Sequence, residues 1–173
     1  MVARAVATID PASFRKVLGA YPTGVCVITS VKDGVRFGLA VGSFTSISLD
    51  PPLVGFFPGK SSNSWRSIAD SGRFCVNILS ADQIDICRRF ASRSDDKFAD
   101  LSHGVSPAGL PLIDDAVAWI DCRVETVFDI GDHFLVVGAV DELRCREEAS
   151  PLIFLRGDYH NATSLQQTED VRG

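Results

Sequence analysis

The sequence has little of what marks proteins that bind nucleic acids or cross membranes. Its 17 Lys and Arg are outnumbered by 22 Asp and Glu, which gives a net charge of −5, and they form no basic run. Binding to a phosphate backbone requires clustered Lys and Arg, so we expect no nucleic-acid partner. No uninterrupted apolar run approaches the roughly 20 residues that cross a bilayer, so we expect no membrane-spanning segment.

Cysteine and histidine are also too scattered to predict a metal site. The chain has five cysteines with no CxxC pair, and only three histidines. Metal sites need ligands at closer spacing, so we predict that no metal is bound. Scattered cysteines are typical of reduced, buried thiols, and the N-terminus carries no signal-peptide pattern, which together predict a cytoplasmic protein. The cysteines are Cys26, Cys75, Cys87, Cys122 and Cys145.

What remains is the composition of an ordinary globular protein. The 173 residues are 46% hydrophobic and 23% charged. That is enough apolar material for a core, and the length is typical of one domain. We therefore predict a single domain over residues 1–173, with its core at residues 12–160 and a polar tail at residues 161–173.

Short apolar runs separated by turn signals indicate a mostly β fold with short helices. Asp33-Gly34 and Gly131-Asp132 are turn signals between strands, and Asp10-Pro11 marks a helix start. Strands are predicted at Val25–Val31, Phe37–Val41, Leu53–Phe57, Phe74–Leu79, Ala116–Phe128, His133–Leu143 and Leu152–Leu155, further helices at Ser62–Ser71 and Asp82–Phe90, and a long irregular loop at Ala91–Leu112. Because no βαβ alternation occurs, these elements predict an antiparallel β-barrel with helical additions.

The stretch Gly38–Ser64 carries most of the candidate ligand-binding groups. It contains a loop rich in hydroxyls, and then a second loop that brings Lys60, Ser61 and Ser62 to a predicted helix start. Amides and hydroxyls at a helix N-terminus favour an anion. The ordinary alternatives are a solvated turn with a capping serine and, for Ser43–Ser48, an edge strand with a polar face. The stretch therefore supports a cradle for a phosphorylated cofactor and a plain turn about equally.

Two familiar nucleotide motifs are excluded by their spacing. The segment Gly55–Ser61 reads GFFPGKS, one residue shorter than the P-loop pattern, so it lacks the amides that wrap a phosphate. No GxGxxG occurs, which argues against a Rossmann site. No Ser-His-Asp order or pair of carboxylates supports a hydrolase.

Two further segments combine a histidine with polar or aromatic neighbours. His133 follows the Gly131-Asp132 turn, and it is either an incidental strand residue or a cofactor contact that titrates near neutral pH. Arg156–His160 places a cation, an aromatic ring and an imidazole on one segment. That segment is either a surface loop or a lid over a flat ring.

The candidate segments contain two sequence motifs, a block of eleven residues and a triplet. The block is SFTSISLDPPL at Ser43–Leu53, and the triplet is GDH at Gly131–His133. Further matching residues are Phe14-Arg15, Tyr21–Val25, Gly38, Ser61, Ser71–Phe74, Phe90, Lys97-Phe98, Gly109–Pro111, Gly138 and Pro151-Leu152. With these residues, over residues 12–160, the sequence resembles the short-chain flavin reductase family, the reductase components of two-component flavin-dependent monooxygenases.

The resemblance implies an FMN-binding split β-barrel, antiparallel and homodimeric. Such a protein passes hydride from NADH or NADPH to FAD or FMN and supplies the reduced flavin to a partner monooxygenase. Ala40–Phe44 would line the flavin ring through backbone amides, and Ser46, Ser48 and Ser61–Asn63 would hold the ribityl chain and phosphate. The implied cofactor-binding residues are Ala40, Val41, Gly42, Ser43, Phe44, Ser46, Ile47, Ser48, Lys60, Ser61, Ser62, Asn63, Arg93, Asp132, His133, Arg156, Gly157, Asp158, Tyr159 and His160.

Within that set, the resemblance assigns three further roles. Arg93 would reach a phosphate from the long loop. The GDH triplet and Arg156–His160 would frame the nicotinamide, with His133 positioning it. Ala40 and Gly42 stand where Thr and Asn are frequent in the family, so only backbone contacts to the ring are implied there.

The sequence leaves several alternatives open. A flavin-binding sensor or carrier of the same fold would share these residues without reducing flavin, and oxidases acting on pyridoxine phosphates would share the fold. FAD and FMN are equally compatible with the motifs. No arginine pair marks a site for a 2′-phosphate, which favours NADH over NADPH.

Overall fold

The computed structural model describes residues 9–94 and 96–164, which form three helices and twelve strands. The helices are α1 (Pro11–Leu18), α2 (Asn63–Ser71) and α3 (Ile84–Ala91). Within the described ranges no helix is long and apolar enough to cross a bilayer. Most of the predicted polar tail, residues 165–173, lies outside the described residues.

The strands form one large sheet and two small ones, and every pairing is antiparallel. The strands are β1 (Thr23–Gly24), β2 (Cys26–Lys32), β3 (Val35–Val41), β4 (Thr45–Leu49), β5 (Pro52–Phe56), β6 (Arg73–Ile78), β7 (His103–Val105), β8 (Pro111–Ile113), β9 (Ala118–Ile130), β10 (His133–Cys145), β11 (Leu152–Leu155) and β12 (Asp158–Asn161). The large sheet has the order β3-β2-β6-β9-β10-β5-β4, and the small sheets are β1-β11-β12 and β7-β8.

The large sheet curls so that its two ends share one core. Leu39 and Val41 on β3, at one edge, lie in the same buried cluster as Val54 and Phe56 on β5, near the other edge. The helix α2 covers this core with Trp65, whose ring centroid lies 5.6 Å from that of Phe56. The closure makes the sheet a split β-barrel, which confirms the predicted fold class.

A second core attaches α3 to the barrel. Cys87 and Phe90, on one face of α3, pack with Val25, Phe98 and Leu152. Leu152 lies on β11 and Phe98 on the loop after α3. The C-terminal hairpin β11–β12 and this loop are therefore held on the same side of the barrel as α3.

The predicted turns form for local reasons. Asp33 and Gly34 have φ values of 51° and 77°, so both central residues of the β2–β3 hairpin are left-handed, as a tight two-residue turn requires. Gly131 opens the β9–β10 turn with a φ of 58°. Asp10 caps α1 by accepting a hydrogen bond from the Ser13 amide at 2.8 Å.

The hydroxyl-rich segment after β3 forms the edge strand β4, which was the ordinary alternative for Ser43–Ser48. Ser46 is exposed and Ser48 is half-buried, while Ile47 and Leu49 are 46% and 92% exposed.

Two other local predictions were wrong. The loop predicted at Ala91–Leu112 contains β7, which is too short to show a period in sequence. Helix α3 begins at Ile84 rather than Asp82, because the Ser80 hydroxyl bonds to the Asp82 carboxylate and only the Gln83 half of the capping box forms.

The cysteines follow the prediction with one exception. All five are free thiols, and four are buried, but Cys145 at the end of β10 is exposed. Burial raises the pKa of the Cys26 and Cys122 thiols to about 12, so both stay protonated at neutral pH.

Candidate functional site

A polar cavity of about 660 Å³ opens between β3, the start of α2 and the end of α3. Its lining combines two cations with six serines and, among the described residues, contains no carboxylate. The lining residues are Phe37, Leu39, Ala40, Ser61, Ser62, Asn63, Ser64, Ser67, Phe90, Ala91, Ser92, Arg93, Ser94 and Lys97. In a chain of net charge −5, this concentration of positive charge and hydroxyl donors suits an anion such as a phosphate.

One wall of the polar cavity is the N-terminus of α2. Ser62 has an extended backbone, and its Oγ accepts a hydrogen bond from the Trp65 amide at 3.2 Å. The Ser62 amide in turn donates to the Gly59 carbonyl at 3.0 Å, which closes the preceding turn. Because Trp65 is buried in the barrel core, the start of the helix is fixed and its serines line the cavity.

The opposite wall is the end of α3 with the loop that follows it. The ring of Phe90 packs on Gly38 of β3, where an added Cβ would lie 2.4 Å from Phe90 Cε1, so glycine permits the close approach of α3. Lys97 Nζ donates to the Gly38 carbonyl at 3.3 Å and to the Phe90 carbonyl at 2.9 Å. Arg93 lies on the same loop, and both cations line the cavity.

A smaller apolar cavity of about 180 Å³ shares Ala40 with the polar cavity. The rings of Phe154 and Tyr159, which belong to the C-terminal hairpin, lie 5.4 Å apart in its wall. The lining residues are Thr23, Val25, Ala40, Val41, Gly42, Cys87, Phe154 and Tyr159. An apolar cavity with aromatic walls suits a flat ring.

Tyr159 is held in place from two sides. Its hydroxyl lies 3.4 Å from Cys87 Sγ, and the guanidinium carbon of Arg88 lies 5.8 Å from the centre of its ring. The hydrogen bond to Cys87, together with burial, raises the pKa of Tyr159, so the phenol is neutral at physiological pH. The aromatic wall of the apolar cavity is therefore fixed to α3.

Gly42 at the floor of the apolar cavity is required by a close neighbour. A Cβ at this position would lie 2.9 Å from Thr23 Oγ1. The family resemblance predicts asparagine at this position, and an asparagine side chain would displace Thr23. Glycine at position 42 therefore permits β1 to pack against the end of β3.

The GDH triplet lies beside the loop that precedes α2. The Lys60 amide donates to the Asp132 carbonyl at 3.0 Å, and the Phe134 amide donates to the Pro58 carbonyl at 3.0 Å. His133 Nδ1 lies 2.7 Å from Asp132 Oδ1. This hydrogen bond, and the charge of the imidazole, hold the pKa of Asp132 below its usual range. The carboxylate fixes the orientation of the ring, so a ligand would meet Nε2.

The ammonium of Lys60 faces the hairpin β9–β10 rather than the polar cavity. It pairs with the Asp129 carboxylate and lies 5.7 Å from the centre of the Phe134 ring. Lys60 and the GDH triplet thus form one cluster at the tip of this hairpin.

Some of the predicted cofactor-binding residues line the two cavities. The polar cavity contains Ala40, Ser61, Ser62, Asn63 and Arg93, and the apolar cavity contains Ala40, Val41, Gly42 and Tyr159. The other predicted residues do not line either cavity: Ser43, Phe44, Ser46, Ile47, Ser48, Lys60, Asp132, His133, Arg156, Gly157, Asp158 and His160.

Some residues outside the cavities have structural contacts. Ser43 Oγ accepts a hydrogen bond from the Phe57 amide at 3.0 Å, which ties the start of β4 to the end of β5. Ile47 packs over Gly55, where a Cβ would lie 2.7 Å from Ile47 Cδ1. Phe44 packs against the barrel core.

Sequence reasoning missed several cavity residues. They are Thr23, Ser64, Ser67, Cys87, Ser92, Ser94, Lys97 and Phe154. The serines beyond Asn63 lie on the first two turns of α2, so the helix start itself was the available signal. Lys97 was noted only as a residue that matches the family, and Phe154 only as part of a strand, because loop packing and the C-terminal hairpin bring them to the cavities over long sequence separations.

Together the cavities fit a phosphorylated cofactor with a flat ring. The polar cavity supplies cations, hydroxyls and helix amides for a phosphate, and the apolar cavity supplies aromatic walls. Ala40 lines both, so the two cavities adjoin at β3.

Comparison with known proteins shows which family the chain belongs to. The model of the flavin reductase like domain matches residues 18–163. A flavin reductase from Pseudomonas putida is 53% identical over 152 residues, which cover 87% of this chain and 89% of the relative. The reductase subunit HsaB of a flavin-dependent monooxygenase from Mycobacterium tuberculosis is 50% identical over 155 residues, 88% of this chain and 83% of the relative.

The fold of this chain is also similar to that of a solved structure. The NADH:FAD oxidoreductase SgcE6 of Streptomyces globisporus C-1027, in complex with NAD and FAD fragments, superimposes with a TM-score of 0.86 at 30% identity, over 94% of this chain and 99% of that chain. The motifs, the fold and these matches agree, and the chain belongs to the flavin reductase-like family.

Proposed function

We propose that this protein is an NAD(P)H-dependent flavin reductase that transfers hydride to FAD or FMN and supplies the reduced flavin to a partner monooxygenase. The observation that carries the proposal is the meeting of the polar and apolar cavities at Ala40. A flavin has a flat ring at one end and a phosphate on its side chain, which is the pattern these cavities accept. Nothing in the comparisons favours a flavin-binding protein without catalytic activity.

The chain's residues bind and orient, and the cofactors carry the chemistry. Hydride passes between nicotinamide and flavin when both are bound, so the protein must hold two rings in contact. Ser61, Ser62 and Arg93 are placed to hold the flavin phosphate, and the backbone of Ala40–Gly42 to hold its ring. Tyr159 gives the adjoining wall, and Asp132 orients His133 toward the nicotinamide.

NADH is the proposed hydride donor. The solved relative SgcE6 is an NADH:FAD oxidoreductase, and the adjacent arginines Arg88 and Arg89 of this chain line neither cavity. The monooxygenase partner is supported by HsaB, a reductase subunit at 50% identity. Reduced flavin is the product that such a partner consumes.

Steady-state oxidation of NADH with added FAD, FMN or riboflavin tests the proposal. We expect oxidation to depend on both NADH and flavin, with FMN or FAD used at lower concentration than riboflavin because the polar cavity suits a phosphate. NADPH in place of NADH is the matched comparison for the donor. Tight flavin binding without any oxidation of NADH or NADPH would instead indicate a sensor or carrier.

We also propose that the protein is a homodimer. Helix α1 buries none of its residues, and its apolar face leaves Phe14, Val17 and Leu18 between 52% and 70% exposed. An isolated helix of eight residues is too short to be stable in water by itself. An exposed apolar face on such a helix indicates a partner surface, which a second copy of the chain would supply.

The single-domain organisation and the cytoplasmic location complete the proposal. The family model extends over residues 18–163 as one domain, close to the predicted core. The free thiols are compatible with a reducing compartment.

A further inference from the structure

Lys97 is the least expected member of the polar cavity. It lies on the loop after α3, partly buried, and its ammonium bonds to two carbonyls, Gly38 O on β3 at 3.3 Å and Phe90 O on α3 at 2.9 Å. An ammonium group has three N–H donors. Two carbonyls therefore leave one donor for a ligand in the cavity that Lys97 lines.

The charge of Lys97 is not balanced by an acidic neighbour. Among the residues 9–94 and 96–164, no carboxylate lies within ion-pair distance of its Nζ, whereas Lys32 and Lys60 pair with Asp70 and Asp129. Burial lowers the pKa of Lys97, since desolvation disfavours the charged form. A partly desolvated cation that faces a cavity without a carboxylate is stabilised by an anion placed there.

The rest of the cavity indicates where that anion lies. Arg93 and the serines at the start of α2 line the same space. With Lys97 they line a cavity of about 660 Å³, which is far too large for a single structural water. The positive charges of the lining and the volume of the polar cavity both suit the phosphate end of a large cofactor.

We propose that Lys97 binds the flavin phosphate directly, and that its bonds to the Gly38 and Phe90 carbonyls aim its ammonium into the polar cavity. This inference rests on the proposed function, because it takes the phosphate to be that of FMN or FAD. A purely structural lysine would tie α3 to β3 and would affect all flavins alike. A phosphate-binding lysine distinguishes FMN from riboflavin, which has the same ring and no phosphate.

The test is the ratio of the dissociation constants of riboflavin and FMN, measured by fluorescence titration of the full chain. In the unaltered protein we expect FMN to bind more tightly. In Lys97→Met we expect FMN binding to weaken by about 10- to 100-fold, as for loss of a hydrogen bond to a charged group, while riboflavin binding stays within about threefold. Lys32→Met is the control, since it removes a lysine that lines neither cavity, and its ratio should match that of the unaltered protein.

A second variant covers the case in which Lys97→Met does not fold. Lys97→Gln retains an N–H donor for the two carbonyls and removes the charge, so it should fold and still lose the preference for FMN. Retention of the unaltered ratio in a folded variant, or equal weakening of FMN and riboflavin, would overturn the role of Lys97. If the unaltered protein does not bind flavin and does not oxidise NADH, that result would overturn the proposed function instead.

Discussion

His133 and His160 lie on different hairpins, and each is predicted to serve the nicotinamide rather than the flavin. His133 is oriented by Asp132 at the β9–β10 turn, and His160 follows Tyr159 on β12. We expect either histidine-to-alanine variant to raise the KM for NADH by about 5- to 10-fold, the loss of one hydrogen bond. Flavin affinity should change by less than about twofold. Steady-state kinetics and flavin titration on the same samples measure both.

His103→Ala provides the control for the histidine variants. His103 bonds to Arg36 and the Leu101 carbonyl and belongs neither to the GDH triplet nor to Arg156–His160, so its removal should leave the KM for NADH unchanged. An unaltered KM and rate in both His133→Ala and His160→Ala would contradict their assignment.

Gly138 on β10 is predicted to be essential for packing. A Cβ there would lie 2.4 Å from Phe74 Cζ and 3.1 Å from Cys122 Cβ, and Phe74 is fully buried against Phe56. Gly138→Ala should lower the free energy of unfolding by about 1–3 kcal/mol, the cost of overpacking a core. Thermal unfolding followed by circular dichroism measures this change.

Gly24→Ala is the control for Gly138→Ala, because nothing lies within 4 Å of a Cβ added at position 24. Its unfolding temperature should be close to that of the unaltered protein. Equal stability of the two variants would contradict the packing argument.

The hairpin β11–β12 contributes one wall of the apolar cavity through two rings, those of Phe154 and Tyr159. Tyr159 packs on Phe154 and bonds to Cys87, so the wall depends on contacts between the hairpin and α3. We expect Tyr159→Ala to lower kcat/KM for NADH at least about tenfold, because the ring that confines the bound cofactor is lost. Tyr159→Phe keeps the ring and loses only a weak bond to sulfur, so it should stay within about twofold. If Tyr159→Phe is as damaging as Tyr159→Ala, the hydroxyl rather than the ring matters.

The elements themselves were largely readable from sequence. The hairpin turns at Asp33-Gly34 and Gly131-Asp132 depend on the φ values of adjacent residues, so a short motif suffices to place them. Helix α2 begins at Asn63 with Ser62 as its cap, within one residue of the predicted start. The strand β4 was predicted only as an alternative, because its hydroxyls are equally typical of a loop and its apolar residues Ile47 and Leu49 are exposed.

Helix α1 is predicted to pack on a second copy of the chain. Val17→Asp places a charge in its exposed apolar face and should shift the protein from dimer to monomer in sedimentation velocity. Lys16→Asp adds a carboxylate on the opposite face, because positions 14, 17, 18 and 21 share one side of a helix at about 100° per residue. It should leave the dimer intact. A monomeric unaltered protein, or a dimeric Val17→Asp variant, would contradict the proposed assembly.

The sequence by itself determined the class of the fold and the family. Strand periodicity, turn residues and helix caps depend on residues that are close together in the sequence. Short stretches such as Ser43–Leu53 and Gly131–His133 are therefore enough to recognise them. The serines at the start of α2 were identified in the same way, because a helix N-terminus is a local property.

Tertiary structure alone decided which charges face the polar cavity. Lys60, adjacent to the predicted phosphate loop, turns toward Asp129 on β9, whereas Lys97, 36 residues beyond Ser61, reaches the polar cavity. Tyr159 meets Ala40 and Gly42 only because α3 holds the C-terminal hairpin against the end of β3. The direction of a long side chain is set by the partners that folding brings to it, and those partners are distant in sequence.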